Sequence, residues 1–229
     1  MKHTHQNIFI DELSTHWRFT LGAVFLSAIL IFALRDTGIV RPYPGVEGLF
    51  ETFFISHLFF AALTPASLLS KYRRAVWLGI LVAIITSSVT CTLSDIIFPY
   101  LGGLILGYDM HFHVCIVEEP LISWIFIISG AMLGYMLSRS VRRLSRYTHG
   151  FHIFLSSTAA GLYLVTYGVS FLSEKAFLFI PILLVSVLIP CVLNDIGVPT
   201  YIVSLNLPEG KQRRELLDEL HSEHHHHHH

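Results

Sequence analysis

Six long apolar stretches, separated by short loops that hold most of the charge, decide what this chain can become. About 20 apolar residues in helical form match the hydrocarbon core of a bilayer. Backbone polar groups inside lipid must be bonded within the structure, so stretches of this kind form helices. The pattern predicts spans at 17–34, 49–69, 75–106, 120–137, 151–172 and 176–205. Composition agrees: 53% of residues are hydrophobic and 14% are charged. The expected class is an all-α integral membrane protein.

Loop charges orient the spans. Of the 15 Lys and Arg residues, only Arg35, Arg41 and Lys175 fall on one side of a six-span arrangement. The others gather on the opposite side, at the ends and in the loops after spans two and four. Basic residues mark the cytoplasmic side. The chain is therefore expected as a multi-pass protein of the cell (inner) membrane with both termini cytoplasmic. Residues 1–16 read as an interfacial segment, 206–223 as a charged cytoplasmic tail and 224–229 as a purification tag. The run from Arg139 to Arg146 is suited to anionic lipid headgroups.

A short pattern occurs twice. Cys91-Thr92-Leu93-Ser94-Asp95-Ile96-Ile97-Phe98-Pro99 matches Cys191-Val192-Leu193-Asn194-Asp195-Ile196-Gly197-Val198-Pro199. The shared form is C-x-L-[S/N]-D-I-x-x-P. Each copy lies in the third span of its half, 17–106 or 120–205. An odd number of spans per half gives the halves opposite orientations. The expected architecture is thus two inverted three-helix repeats, with the third and sixth helices broken or kinked at Pro99 and Pro199. Secondary transporters use such a plan and bind substrate near the midplane at discontinuous helices.

Proline has no N–H, so Pro99 and Pro199 deprive the carbonyls of Asp95 and Asp195 of their helical donors. Each motif then offers a carboxylate, a carbonyl and the neighbouring oxygen of Ser94 or Asn194. Cys91 and Cys191 lie one helical turn earlier on the same face. Intramembrane acids are costly and point to function. His57, in span two, is a further ligand or proton relay. Thr64-Pro65 follows it and frees the carbonyl of Ala61. Glu51 sits near the outer end of that span, suited to guard a mouth.

The outer loop at 107–119 concentrates Asp109, His111, His113, Cys115, Glu118 and Glu119. In an extended chain His111, His113 and Cys115 project to one side, an arrangement suited to metal capture. His149 and His152, beside the cytoplasmic arginines, read as interfacial. Gly130, Ala131 and Gly134 form a small-residue face for close helix packing.

These features favour a transporter of a cation, foremost a divalent transition metal. Its predicted binding residues are Asp95, Asp195, Ser94, Asn194, Cys91, Cys191 and His57. The alternatives are a membrane-embedded metal-dependent enzyme of the intramembrane hydrolase type and a small-solute carrier or channel. Neither Gly-x-Ser-x-Gly nor His-Glu-x-x-His occurs. The one cofactor suggested is a zinc-like divalent ion. The expected partners are the lipid bilayer, the metal ion or solute and a second copy of the chain. No basic patch with interleaved aromatics suggests nucleic acid. Three cysteines in apolar surroundings do not make a disulfide framework.

Overall fold

The computed structural model describes residues 2–39, 47–72, 76–137, 144–168, 178–198 and 201–202. Pro199, the outer-side Arg41 and Lys175 and the charged tail lie outside the described residues. The described chain is helical, with one isolated bridge between Met110 and Gly168. Its helices are α1 (Lys2–Asp36), α2 (Glu47–Tyr72), α3 (Val76–Thr92), α4 (Phe98–Ile105), α5 (Cys115–Glu118), α6 (Pro120–Leu137), α7 (Leu144–Tyr167) and α8 (Phe179–Val192). Two π-helical segments continue α3 and α8: π1 (Leu93–Ile97) and π2 (Leu193–Gly197).

Among the described residues, four stretches are long and apolar enough to cross a membrane: Trp17–Asp36, Gly48–Ser70, Val76–Ile105 and Pro120–Leu137. This is a membrane protein by that measure. The expected fifth span is helical as far as Tyr167, yet Ser156, Ser157, Thr158 and Thr166 dilute its apolar character. It is also the best-shielded helix: from His152 to Gly168 every residue except Phe154 is buried. A helix enclosed by other helices does not need an apolar surface. The expected sixth span appears as the shorter apolar run Phe179–Asp195.

Helices α2 and α7 form the central pair. Ring contacts run from Phe50 with Tyr167, through His57 with His152, to Phe60 with Phe151. Numbers rise on one helix as they fall on the other, so the two are antiparallel. Against this pair, α6 packs on α2 and α1 on α7. Helix α3 touches α2 and α6, while α8 touches α7 and α1. Segment π1 lies on α7, and π2 on α2.

Small residues set the α2–α6 approach. A Cβ added at Gly130 would lie 2.9 Å from the Phe59 carbonyl carbon, and one at Gly134 would lie 2.9 Å from that of Leu63. Ala131 between them is fully buried. On α1, Ser27 Oγ lies 2.9 Å from Thr158 Oγ1 of α7, a hydroxyl contact inside the bundle. The outward faces carry Ile29, Trp77, Ile85, Leu121 and Ile125, all exposed. Such surfaces suit lipid rather than water.

Where a break is expected before Pro99, the helix runs on from α3 through π1 into α4. Phe98 N–H donates to the Leu93 carbonyl, five residues back. The second copy does the same, with Val198 N–H donating to Leu193. The backbone stays right-handed helical into Pro99, with φ −67° and ψ −49° at Ile97. Isolated π turns inside α-helices are rare and often accompany functional sites. Here each one contains the motif aspartate.

Candidate metal centre

Both motif copies present their polar residues to the α2–α7 seam. His57, Cys91, Ser94, Asp95, Cys191, Asn194 and Asp195 are all buried. His57 Nδ1 lies 2.5 Å from Asp95 Oδ2. In the tautomer whose Nδ1–H donates to this carboxylate, Nε2 carries the ring's lone pair. Cys91 Sγ is 3.8 Å from that Nε2. The other oxygen, Asp95 Oδ1, accepts from Ser94 Oγ at 2.5 Å and from Ser156 Oγ at 2.8 Å.

The second copy repeats the plan with looser contacts. His152 Nε2 lies 3.6 Å from Asp195 Oδ2. Asp195 Oδ1 accepts from Asn194 Nδ2 at 2.9 Å. The imidazoles of His57 and His152 are 4.6 Å apart between ring centroids.

The copies also cross over. Asn194 Nδ2 donates to the Ala61 carbonyl on α2 at 3.0 Å. That carbonyl is the one freed by Pro65, and Ser87 Oγ donates to it at 2.9 Å. Asn194 Oδ1 in turn accepts from Ser87 Oγ at 3.1 Å and Thr90 Oγ1 at 3.2 Å. In the mirrored place, Ser94 approaches Ser156 on α7, with the two hydroxyl oxygens 3.4 Å apart. Ala61 and Ser156 each stand four residues after their helix's histidine.

Donor atoms of His57, His152 and Cys191 all lie within 4.8 Å of one another. Tetrahedral zinc bonds of about 2.0–2.3 Å put donors about 3.3–3.8 Å apart, so small side-chain rotations close the set. Imidazole and thiol together suit zinc-like ions. The aspartates are then positioning groups. A carboxylate behind a ligating histidine fixes its tautomer and raises its basicity.

His152 and Ser156 are the residues that sequence reasoning missed. His152 is buried, not interfacial. Its rank was legible in one detail: His57-Leu58-Phe59 and His152-Ile153-Phe154 share the form His-[Leu/Ile]-Phe on the second helix of each half.

The outer loop splits the expected ligands. His113 and Cys115 are buried, while Asp109, His111, Glu118 and Glu119 are exposed. Glu118 Oε2 nevertheless reaches His113 Nδ1 at 2.9 Å. Glu51 joins from α2, with Oε1 3.9 Å from His113 Nε2. With no cation bound, burial and the nearby Glu51 and Glu118 carboxylates push the Cys115 thiol well above its usual range.

No protein-family model, curated protein or solved structure matches this chain.

Proposed function

We propose that this protein is a membrane transporter of a divalent, zinc-like cation. The cation binds between the two motif copies, through His57, His152 and Cys191, with Asp95 and Asp195 behind the imidazoles. The single observation carrying this reading is the acid–imidazole arrangement of the first copy. Asp95 holds Nδ1 of His57, Nε2 lies 3.8 Å from the Cys91 thiol, and donor atoms of His57, His152 and Cys191 converge within 4.8 Å of one another. A histidine required only for packing does not need its free nitrogen directed at further metal donors.

Two inverted repeats of three helices supply the moving parts. Helix packing supports this reading: exchanging α1 with α6, α2 with α7, α3 with α8 and π1 with π2 turns the neighbours found among these eight elements into themselves. The antiparallel α2–α7 pair is what inversion demands of equivalent helices. The fifth and sixth spans are α7 and α8, and both termini are cytoplasmic. Alternating access follows if one repeat rocks against the other around the shared site.

Charge governs coupling. Isolated charge in a low-dielectric interior costs several kcal/mol or more. A thiol gives up its proton when it ligates the cation. The proposed cycle therefore exchanges the metal ion for protons, that of Cys191 among them.

Flux tests the proposal. Proteoliposomes containing the chain should take up zinc in a proton-dependent manner, and the His57→Ala/His152→Ala variant should not. Equal uptake by the two proteins refutes the site. A membrane-embedded hydrolase remains the second reading, because three protein ligands leave a fourth position open for water. Protein that binds zinc at this site without moving it would favour that reading.

A further inference from the structure

The loop between α4 and α6 reproduces, at the end of the bundle, the arrangement found at its centre. His113 Nδ1 is held by Glu118 at 2.9 Å, as His57 Nδ1 is held by Asp95 at 2.5 Å. His113 Nε2 faces Cys115 Sγ at 3.4 Å, as His57 Nε2 faces Cys91 at 3.8 Å. Glu51 Oε1 adds a third donor 3.9 Å from His113 Nε2. We infer that His113, Cys115 and Glu51 form a second binding site for a zinc-like divalent cation, with Glu118 positioning the histidine.

The surroundings hold these groups in place. His113 stacks on Tyr167, with centroids 5.0 Å apart. Its N–H donates to Tyr163 Oη at 3.2 Å, and that hydroxyl donates to the His111 carbonyl at 3.3 Å. His111 N–H donates to the Tyr167 carbonyl at 2.9 Å. The loop backbone is thus fixed at two points to α7, and the imidazole cannot swing freely. A short turn also aims the acid: Val114 N–H donates to Glu118 Oε1 at 3.1 Å while Oε2 serves His113. A preset ligand geometry of this kind lowers the ordering cost of binding.

Location distinguishes this site from the central one. Glu51 precedes His57 by six residues on α2, a rise of about 9 Å at 1.5 Å per residue. Phe50, Tyr163 and Tyr167 stand at this level, in mutual ring contact at 4.8–5.6 Å. This aromatic cluster lies along the seam from the outer donors toward His57. Partial exposure of Glu51 and Glu118 leaves the outer donors open to solvent.

Binding at the outer site does not depend on transport by the central one, so the two can fail separately. In chain lacking the tag and carrying Cys91→Ser and Cys191→Ser, Cys115 is the remaining thiol. Cobalt(II) added to this protein should give a near-ultraviolet thiolate-to-cobalt band, and Cys115→Ser should abolish it. Absence of the band, or its persistence after Cys115→Ser, overturns the inference. Zinc counting provides a second measurement. With all three cysteines native, His113→Gln should lose one bound zinc per chain relative to the parent, while helical content by circular dichroism is unchanged. An unchanged zinc count in that variant overturns the inference, whatever the His57 and His152 variants do.

Discussion

His57 and His152 face each other across the α2–α7 seam, 4.6 Å apart, and each has the aspartate of its own motif copy at its side. Neither histidine belongs to the repeated nonapeptide. The likeness between the two halves thus reaches the preceding helix, where His57 and His152 are paired.

This arrangement gives the aspartates a different role from direct ligation. Asp95→Asn should weaken zinc binding about 10–100-fold, the usual effect of losing a carboxylate behind a ligating histidine. His57→Ala should remove binding at the central site altogether. Isothermal titration with His113→Gln as the background measures both. Equal losses in the two variants would show that Asp95 contacts the ion itself.

Cation binding at the proposed site releases the Cys191 proton, so cation and protons move in exchange. Zinc uptake into proteoliposomes should accelerate with an outward proton gradient, that is, with the lumen acid. Uptake unchanged by the gradient would contradict exchange with protons.

Close packing of α6 on α2 leaves no room for a methyl group at Gly130 or Gly134, because the obstacle is backbone rather than a flexible side chain. Gly130→Ala should destabilise the protein by about 1–3 kcal/mol through overpacking. Gly22→Ala, at a glycine with open space around it, should not. Thermal unfolding in detergent compares the two. Equal melting temperatures would show that α6 does not approach α2 this closely.

Asn194 joins four polar groups around the Ala61 carbonyl. Asn194→Leu leaves the donors of Ser87 and Thr90 with one acceptor fewer and removes a donor from both Ala61 and Asp195. Each buried polar group left unsatisfied costs about 1–3 kcal/mol. Asn194→Ser restores a hydroxyl like that of Ser94 and should recover part of the loss. Chemical denaturation of the two variants measures the difference. No difference between them would argue against the crosswise network.

The loop charges set an expected sidedness that labelling can test. Cys91, Cys115 and Cys191 are all buried, so a membrane-impermeant maleimide should react mainly with introduced cysteines. His111→Cys should be labelled on intact cells, whereas Ser140→Cys should require permeabilisation. The reverse pattern would invert the topology.

Much of this site was legible in the sequence, because the chemistry of lipid makes polar residues conspicuous. Asp95, Asp195 and His57 stand out for that reason. Pro65 also led directly to the Ala61 carbonyl, since a missing N–H has one defined consequence in a helix. What sequence could not supply was depth. His152 lies only six residues beyond Arg146, and a charged neighbourhood suggests an interface. Helix α7 is instead enclosed by α1, α2 and α8, so a polar helix runs through the centre. The same enclosure lets α7 carry more polar residues than the outer helices. Glu51 and His113 are 62 positions apart, and only the folded chain shows that they meet.

The most direct test of the central claim is zinc K-edge absorption spectroscopy. The sample is chain lacking His224–His229 and carrying His113→Gln and Cys115→Ser, loaded with one equivalent of zinc. The account predicts two imidazole nitrogens at about 2.0–2.1 Å and one sulfur at about 2.3 Å, with sulfur lost in Cys191→Ser and one imidazole lost in His152→Ala. A first shell made only of oxygen, or one unchanged by both substitutions, would contradict it.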